Sequence, residues 1–150
     1  MVNKKYMNDA LLLAKEAFDN GEIPVGAVIV KDGKIISSGR NRREEKKNAL
    51  SHAEIEAINS ACKALESWRL DGCEIYVTLE PCPMCMGAIL DSRIDTLVFG
   101  AFDLDGGCAD SVLRLQDHIN SSKLSVFGGI CEEECKKLIV DFFGVVRNRE

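Results

Sequence analysis

A three-layer α/β/α sandwich on a mixed five-stranded sheet is the fold this sequence predicts, and three observations predict it. Two β-branched runs, Val25 to Val30 and Lys34 to Ser38, meet at Lys31-Asp32-Gly33, and an Asp-Gly pair between such runs signals a hairpin, so the sheet begins antiparallel. Beyond the hairpin, strands alternate with helical periodicities, which makes the rest an α/β arrangement and the sheet a mixed one. The strand Cys73 to Leu79 then runs directly into Glu80-Pro81-Cys82, placing reactive residues at a strand's carboxyl end, where open α/β sheets gather their ligands.

Taken in order, Tyr6 to Phe18 sets Ala10, Leu11, Ala14, Ala17 and Phe18 on one face at helical spacing, and Asn20-Gly21 ends this packing helix. Gly26 and Ala27, small residues at a strand start, let another backbone or a ligand come close. Gly39 to Leu50 reads as a polar loop of mixed charge. His52 to Leu65 reads as a helix with Ile55, Ile58, Ala61, Cys62 and Leu65 inward, and Trp68 lies in the connection that follows. After the Cys73 to Leu79 strand, Pro81 stands at or just before the start of a helix that Met84 to Ser92 continues. Thr96 to Gly100 is the fourth strand, Ala101 to Asp110 a Gly-rich loop, Leu124 to Phe127 a short last strand, and Cys131 to Phe143 a last helix with Cys135, Leu138, Ile139 and Phe142 on one face. No repeat, low-complexity tract or linker interrupts residues 1–150, so a single domain is expected.

Seven cysteines, an odd count without a secretory leader or a long apolar run, point to a reducing cytoplasm and away from a disulfide framework or a membrane protein. The formal net charge of −5 does not draw nucleic acid to the molecule as a whole, so any such role needs a local basic patch.

Two short stretches carry the chemistry, Ser51-His52-Ala53-Glu54 and Pro81-Cys82-Pro83-Met84-Cys85. His52, Cys82 and Cys85 are donors of the kind zinc takes, and three protein ligands on a tetrahedral ion leave its fourth position open for water. Cys82 and Cys85 share one side of a first helical turn, and His52 opens another helix. Helix N-termini carry partial positive charge and free N–H groups, which favour thiolate over thiol. Glu54 projects to a different side of its helix from His52 and is read as a base beside the metal, not a ligand. Two other readings start from the same residues. One is a Cys-x-x-Cys redox pair; the other is a closed structural zinc site, for which His118, Cys108, Cys131 and Cys135 are fourth-ligand candidates, none at a convincing spacing. Asn41 offers both donors and an acceptor to a base edge or a ribose. Phe102 is placed either to stack on a base or to cover the core.

The pairing of H-x-E with P-C-x-x-C is the signature of zinc nucleobase deaminases. Over nearly its whole length the chain resembles, more narrowly, the bacterial tRNA-specific adenosine deaminases of the cytidine deaminase superfamily. Thr78-Leu79-Glu80-Pro81-Cys82-Pro83-Met84-Cys85 and Val98-Phe99-Gly100-Ala101-Phe102-Asp103 carry most of that resemblance, supported by Pro24-Val25-Gly26-Ala27-Val28, Trp68-Arg69-Leu70 and Asp141-Phe142-Phe143. The resemblance implies a cytidine deaminase-like fold, one Zn²⁺ per subunit and a cytoplasmic homodimer in which the neighbouring subunit helps form the anticodon pocket. It implies a tRNA anticodon stem-loop as partner, and conversion of the wobble adenosine of an arginine tRNA to inosine by zinc-bound hydroxide attacking C6 of the flipped-out base. By matching position it makes His52, Cys82 and Cys85 the zinc ligands, and Glu54 the proton shuttle that protonates N1 and assists the departure of ammonia. Asn41 becomes a base and ribose contact and Asp103 a neighbour of the nucleotide, with Ala53 and Phe102 completing the substrate-binding set.

Four stretches depart from the family pattern. Leu104-Asp105 stands where members often have Pro-Lys, Asp110-Ser111 for Gly-Ser and Asn120-Ser121 for Asn-His, and the basic tail is cut to Arg147-Asn148-Arg149-Glu150. Each removes positive charge or a polar contact along the RNA path, and losing two or three phosphate contacts lowers both affinity and its salt dependence. A deaminase of a free nucleobase or nucleoside, of guanine or cytidine type, is the second reading, and the acidic net charge suits it. A catalytically silent RNA-binding subunit is the third, and it has no use for Glu54.

Overall fold

The computed structural model describes residues 2–119 and 123–148; of the departures just named, Asn120, Ser121, Arg149 and Glu150 lie outside them. Its elements are α1 (Lys4–Asp19), β1 (Gly26–Lys31), β2 (Lys34–Arg40), α2 (Arg43–Lys46), α3 (Ala53–Leu65), β3 (Cys73–Leu79), α4 (Pro83–Asp91), β4 (Thr96–Ala101), β5 (Ser125–Phe127) and α5 (Glu132–Asn148), with a 3₁₀ turn at Leu115–Asp117. The sheet order is β2-β1-β3-β4-β5; β1 runs antiparallel to both neighbours, whereas β3, β4 and β5 are parallel. The mixed five-stranded sheet is therefore the predicted one. Its hairpin turns on Asp32 and Gly33, whose φ values of 51° and 75° are the left-handed pair that suits the twist of the flanking strands.

Strand alternation divides the core in two. Val28, Val30, Tyr76 and Val98 face Met7, Ala10 and Leu11 of α1 and Cys135 of α5. Ala27, Ile29, Ile75, Val77, Leu97 and Phe99 face Ala57 and Ile58 of α3 and Met86 and Ile89 of α4. Both faces of the central strands are covered, which is why β1 and β3 read as nearly unbroken apolar runs.

The inward face of α3 differs from expectation. Ile55, Cys62 and Leu65 are only half-buried, while Ala53, Glu54 and Ala57 join Ile58 and Ala61 in full burial. The reason is the depth at which the helix lies. A Cβ on Gly39 of β2 would meet the carbonyl oxygen of Ala53 and come within 2.7 Å of the Ala57 nitrogen, so strand and helix touch backbone to backbone. A row of alanines permits that approach and a row of larger side chains would hold the helix off. Gly26 allows the same contact on the other face, against Ala10 and Ala14 of α1. Gly39→Ala is expected to destabilise the protein by about 1–3 kcal/mol through overpacking, and to reduce metal retention along with it, because α3 carries His52 and Glu54. A denaturant melt with a parallel zinc assay checks this, and an unchanged midpoint would show that the contact yields freely.

Pro81 stands just before α4, as expected, with Cys82 as the N-cap and Pro83 as the first helical residue. Other boundaries move. The expected Gly39 to Leu50 loop holds the end of β2 and the single turn α2. The last helix begins after Cys131, whose φ of 57° lies outside helical space, and runs on through Gly144, since one helical glycine costs only about 1 kcal/mol.

Candidate active site

Both halves of the proposed metal site sit at helix starts. His52 caps α3 with φ −74° and ψ 157°, and Cys82 caps α4 with φ −74° and ψ 175°. Extended backbone at these two caps turns the side chains toward each other, and Pro83 costs nothing at the first helical position because its missing N–H has no intrahelical partner there. His52 Nδ1 lies 3.6 Å from Cys82 Sγ and 3.4 Å from Cys85 Sγ. A tetrahedral zinc with Zn–N of about 2.0–2.1 Å and Zn–S of about 2.3 Å separates such donors by about 3.6 Å, so the donor set fits the ion. Among the described residues no fourth His, Cys, Asp or Glu joins this group. Cys108 lies in the core on the α3–α4 side and Cys135 on the opposite side of the sheet, so neither closes the site.

Burial and mutual hydrogen bonds set the electrostatics of these groups. The Cys82 thiol is pulled down to about 4, chiefly because the Cys85 thiol donates to its thiolate and the His52 ring adds a second bond. Cys85 is pushed up in turn, by that same hydrogen bond and by burial. The Cys82 thiolate also raises His52. The pocket thus stabilises charge separation at the point where the three donors converge. Glu54, 4% exposed, is raised to about 7 by burial. A carboxyl near neutrality can give or take a proton, as a general acid–base group must.

These residues share one pocket, and most of the residues nominated from sequence line it. Asn41, Ala53 and Asp103 are in its wall with His52, Glu54 and Cys82. Asn41 spends part of its carboxamide on the protein, donating from Nδ2 to Ile23 O at 3.3 Å and accepting from Arg43 N at 3.1 Å, which leaves one N–H and one lone pair for a ligand. Ala53, the first residue of α3, presents an N–H the helix cannot satisfy. Asp103 accepts from the amides of Asp105 (3.1 Å) and Gly106 (3.2 Å). Phe102 is not in the pocket wall. It packs edge-on against Phe99, with ring centroids 5.0 Å apart, and lines the neighbouring groove with Leu104 and Phe143, so covering the core is its first role.

Sequence reasoning passed over the groups that hold the walls. Glu22, 1% exposed, accepts from the amides of Glu44 (3.0 Å) and Glu45 (2.8 Å) and so fixes α2. Arg40, also buried, lies between Glu16 and Glu45 and donates to Asn41 O at 3.1 Å. Across the pocket, Glu80 is 2% exposed. Burial raises its pKa, but hydrogen bonds from Ser111 and loop amides outweigh that and hold the carboxyl below its usual range. For Glu80 the available signal is an acidic residue directly after an apolar strand; Glu22, after Asn20-Gly21 and four residues before β1, offers none.

The profile of the MafB19-like deaminase family matches residues 1–146. The tRNA-specific adenosine deaminase of Bacillus subtilis (strain 168) is 45% identical over 146 residues, covering 97% of this chain and 91% of its own length. That of Rickettsia felis is 47% identical, covering 94% and 100%. A solved structure from work on A-to-I editing by tRNA deaminases at the wobble position superimposes with a TM-score of 0.87 at 39% identity, covering 91% of this chain and 99% of the other.

Proposed function

From the premise that this chain belongs to the MafB19-like deaminase family, and within it to the tRNA-specific adenosine deaminases, we propose that it is a single-domain zinc hydrolase converting the wobble adenosine of an arginine tRNA to inosine and ammonia. One observation carries the chemistry: three donors converge at tetrahedral spacing, and two of them, His52 and Cys82, line a pocket together with a buried carboxyl, Glu54, that lies outside the donor set. In this reading His52 Nδ1 and the sulfurs of Cys82 and Cys85 hold one zinc ion per subunit. When bound, zinc supplies the Lewis acidity that makes a water reactive at neutral pH. Glu54 would take a proton from the attacking water and pass it to N1 of the adenine, then take the proton of the new C6 hydroxyl and pass it to the departing amino nitrogen, so that water and adenosine account for inosine and ammonia. Asn41 orients the base or ribose with its remaining donor and acceptor, and Ala53, whose N–H the helix leaves without an intrahelical partner, and Asp103 line the same pocket. Phe102, in the adjoining groove, serves a flanking base and not the reacting one.

Large exposed side chains in segments bordering the site, Leu50 and Val112, support a homodimer whose neighbour completes the RNA pocket. A tRNA substrate implies the cytoplasm, and among the described residues no helix is long and apolar enough to cross a membrane. Of the cations nearby, Arg43 lines the pocket, whereas Arg42 pairs with Glu45 and Lys46 with Glu56, and Leu104-Asp105 adds no positive charge.

The test is inosine formation by the zinc-loaded protein on an arginine anticodon stem-loop with adenosine at the wobble position, beside guanine, adenosine and cytidine. Conversion of the stem-loop alone is the expected result. Binding is also expected to depend on salt less steeply than in a relative retaining the Pro-Lys pair and basic tail, by roughly two units of log–log slope for two or three missing phosphate contacts. Conversion of a free base or nucleoside with the stem-loop untouched would reject the tRNA substrate and keep the deaminase chemistry.

A further inference from the structure

Glu80 immediately precedes the Pro81-Cys82 metal segment, yet neither of its oxygens is directed to the metal donors. Oε1 accepts from Asp103 N at 3.0 Å and from the Ser111 hydroxyl. Oε2 accepts from the amides of Ala109 (3.2 Å), Asp110 (2.8 Å) and Ser111 (2.9 Å). The loop is shaped to receive it. A Cβ on Gly107 would collide with the Glu80 carboxylate and come within 2.6 Å of Asp103 O, so only glycine lets the backbone wrap this closely. Two main-chain bonds complete the join, Glu80 N to Ala101 O at 2.9 Å and Cys108 N to Pro81 O at 2.8 Å. The segment from Asp103 to Ser111 is therefore gathered around one carboxylate that belongs to the metal-bearing segment.

We infer that Glu80 is a positioning residue: it fixes the Asp103–Ser111 loop against the Cys82 segment, so that the substrate-facing wall and the metal ligands keep one geometry. The inference rests on the deaminase reading for its consequence in catalysis and on the hydrogen bonds alone for its consequence in the loop. Glu80 acts through Asp103 on substrate binding, and neither carries a proton nor holds the ion.

Glu80→Gln keeps the size of the side chain and removes one acceptor. Whichever way the carboxamide turns, its NH₂ faces a cluster of donors: Asp103 N with the Ser111 hydroxyl, or the three amides of 109–111. With full-length, zinc-loaded protein, hydrogen exchange at the amides of Asp103, Ala109, Asp110 and Ser111 is expected to rise at least tenfold in Glu80→Gln, with zinc content still one per subunit. For the stem-loop, KM is expected to rise about tenfold while kcat stays within threefold of wild type. Ser111→Ala removes one donor and spares the amides, so it should shift both readouts in the same direction by a smaller factor, and it serves where Glu80→Gln does not fold. Unchanged exchange in the loop would overturn the inference. So would a fall in kcat and zinc content with KM unchanged, since that marks a general structural role. A wild-type protein inactive on the stem-loop would sink the tRNA reading alone, because the exchange experiment needs no substrate.

Discussion

Glu54→Ala is expected to lower deamination by at least 10³-fold while the protein keeps its zinc. The size follows from what the residue is asked to do. A positioned general acid–base group contributes about 10²–10⁴-fold, and in the proposed reaction one carboxyl would serve more than one proton transfer. Retention of zinc follows from geometry, because Glu54 is outside the group formed by His52, Cys82 and Cys85. The carboxyl also sits buried with its pKa raised, an arrangement that costs stability. Glu54→Gln, which keeps the shape and cannot take up a proton, should match the alanine variant in activity without leaving a cavity. The measurements are single-turnover deamination and zinc content on the same preparations. Activity within tenfold of wild type in Glu54→Gln would remove this residue from the proton path, and loss of zinc would make it a ligand.

Cys85→Ser is expected to empty the metal site and abolish activity to the same extent. Cys85 is buried, and its sulfur is one of the three donors gathered among the described residues, so in the proposed site a shorter and harder hydroxyl would leave two effective ligands. The loss is also visible in stability. Zinc at about 1,000 times its Kd stabilises the wild-type fold by about 4 kcal/mol through mass action, and the serine variant should show no zinc-dependent rise in Tm. Dialysis against a weak chelator followed by metal analysis gives the direct answer. A serine variant that keeps stoichiometric zinc would mean that Cys85 is not a ligand.

Both expectations were accessible early because the relevant residues are close in sequence and their spacing encodes geometry. A Cys-x-x-Cys on a first helical turn, a His-x-Glu opening another helix, and a strand leading into the first cysteine can each be read without knowing where the chain goes next. The hairpin at Asp32-Gly33 is local in the same way, as is the alternation of strand and helix that made the sheet mixed. Phe102 shows the limit of such reading. An aromatic in a loop after a strand fits a base platform or a core cover equally well, and the edge-on contact with Phe99, three residues back but brought round by the loop, favours the second.

What the sequence determined by itself was whatever depends on neighbours a few residues apart: most strands and helices, the turn, and the two halves of the donor set, Cys82 with Cys85 and His52 with Glu54; their meeting across 30 and 33 residues belongs to the fold. Tertiary structure decided the rest, because it depends on distances between segments far apart in the chain. How deep α3 lies was decided by Gly39 meeting Ala53 and Ala57, which moved the buried face from the bulky Ile55 and Leu65 to a row of alanines. Which carboxylates hold the two pocket walls was decided by pairings that span 22 to 31 residues, Glu22 with Glu44 and Glu45, Glu80 with Asp103 and Ser111. A buried glutamate survives only where backbone N–H groups converge on it, and that convergence exists only in the folded chain.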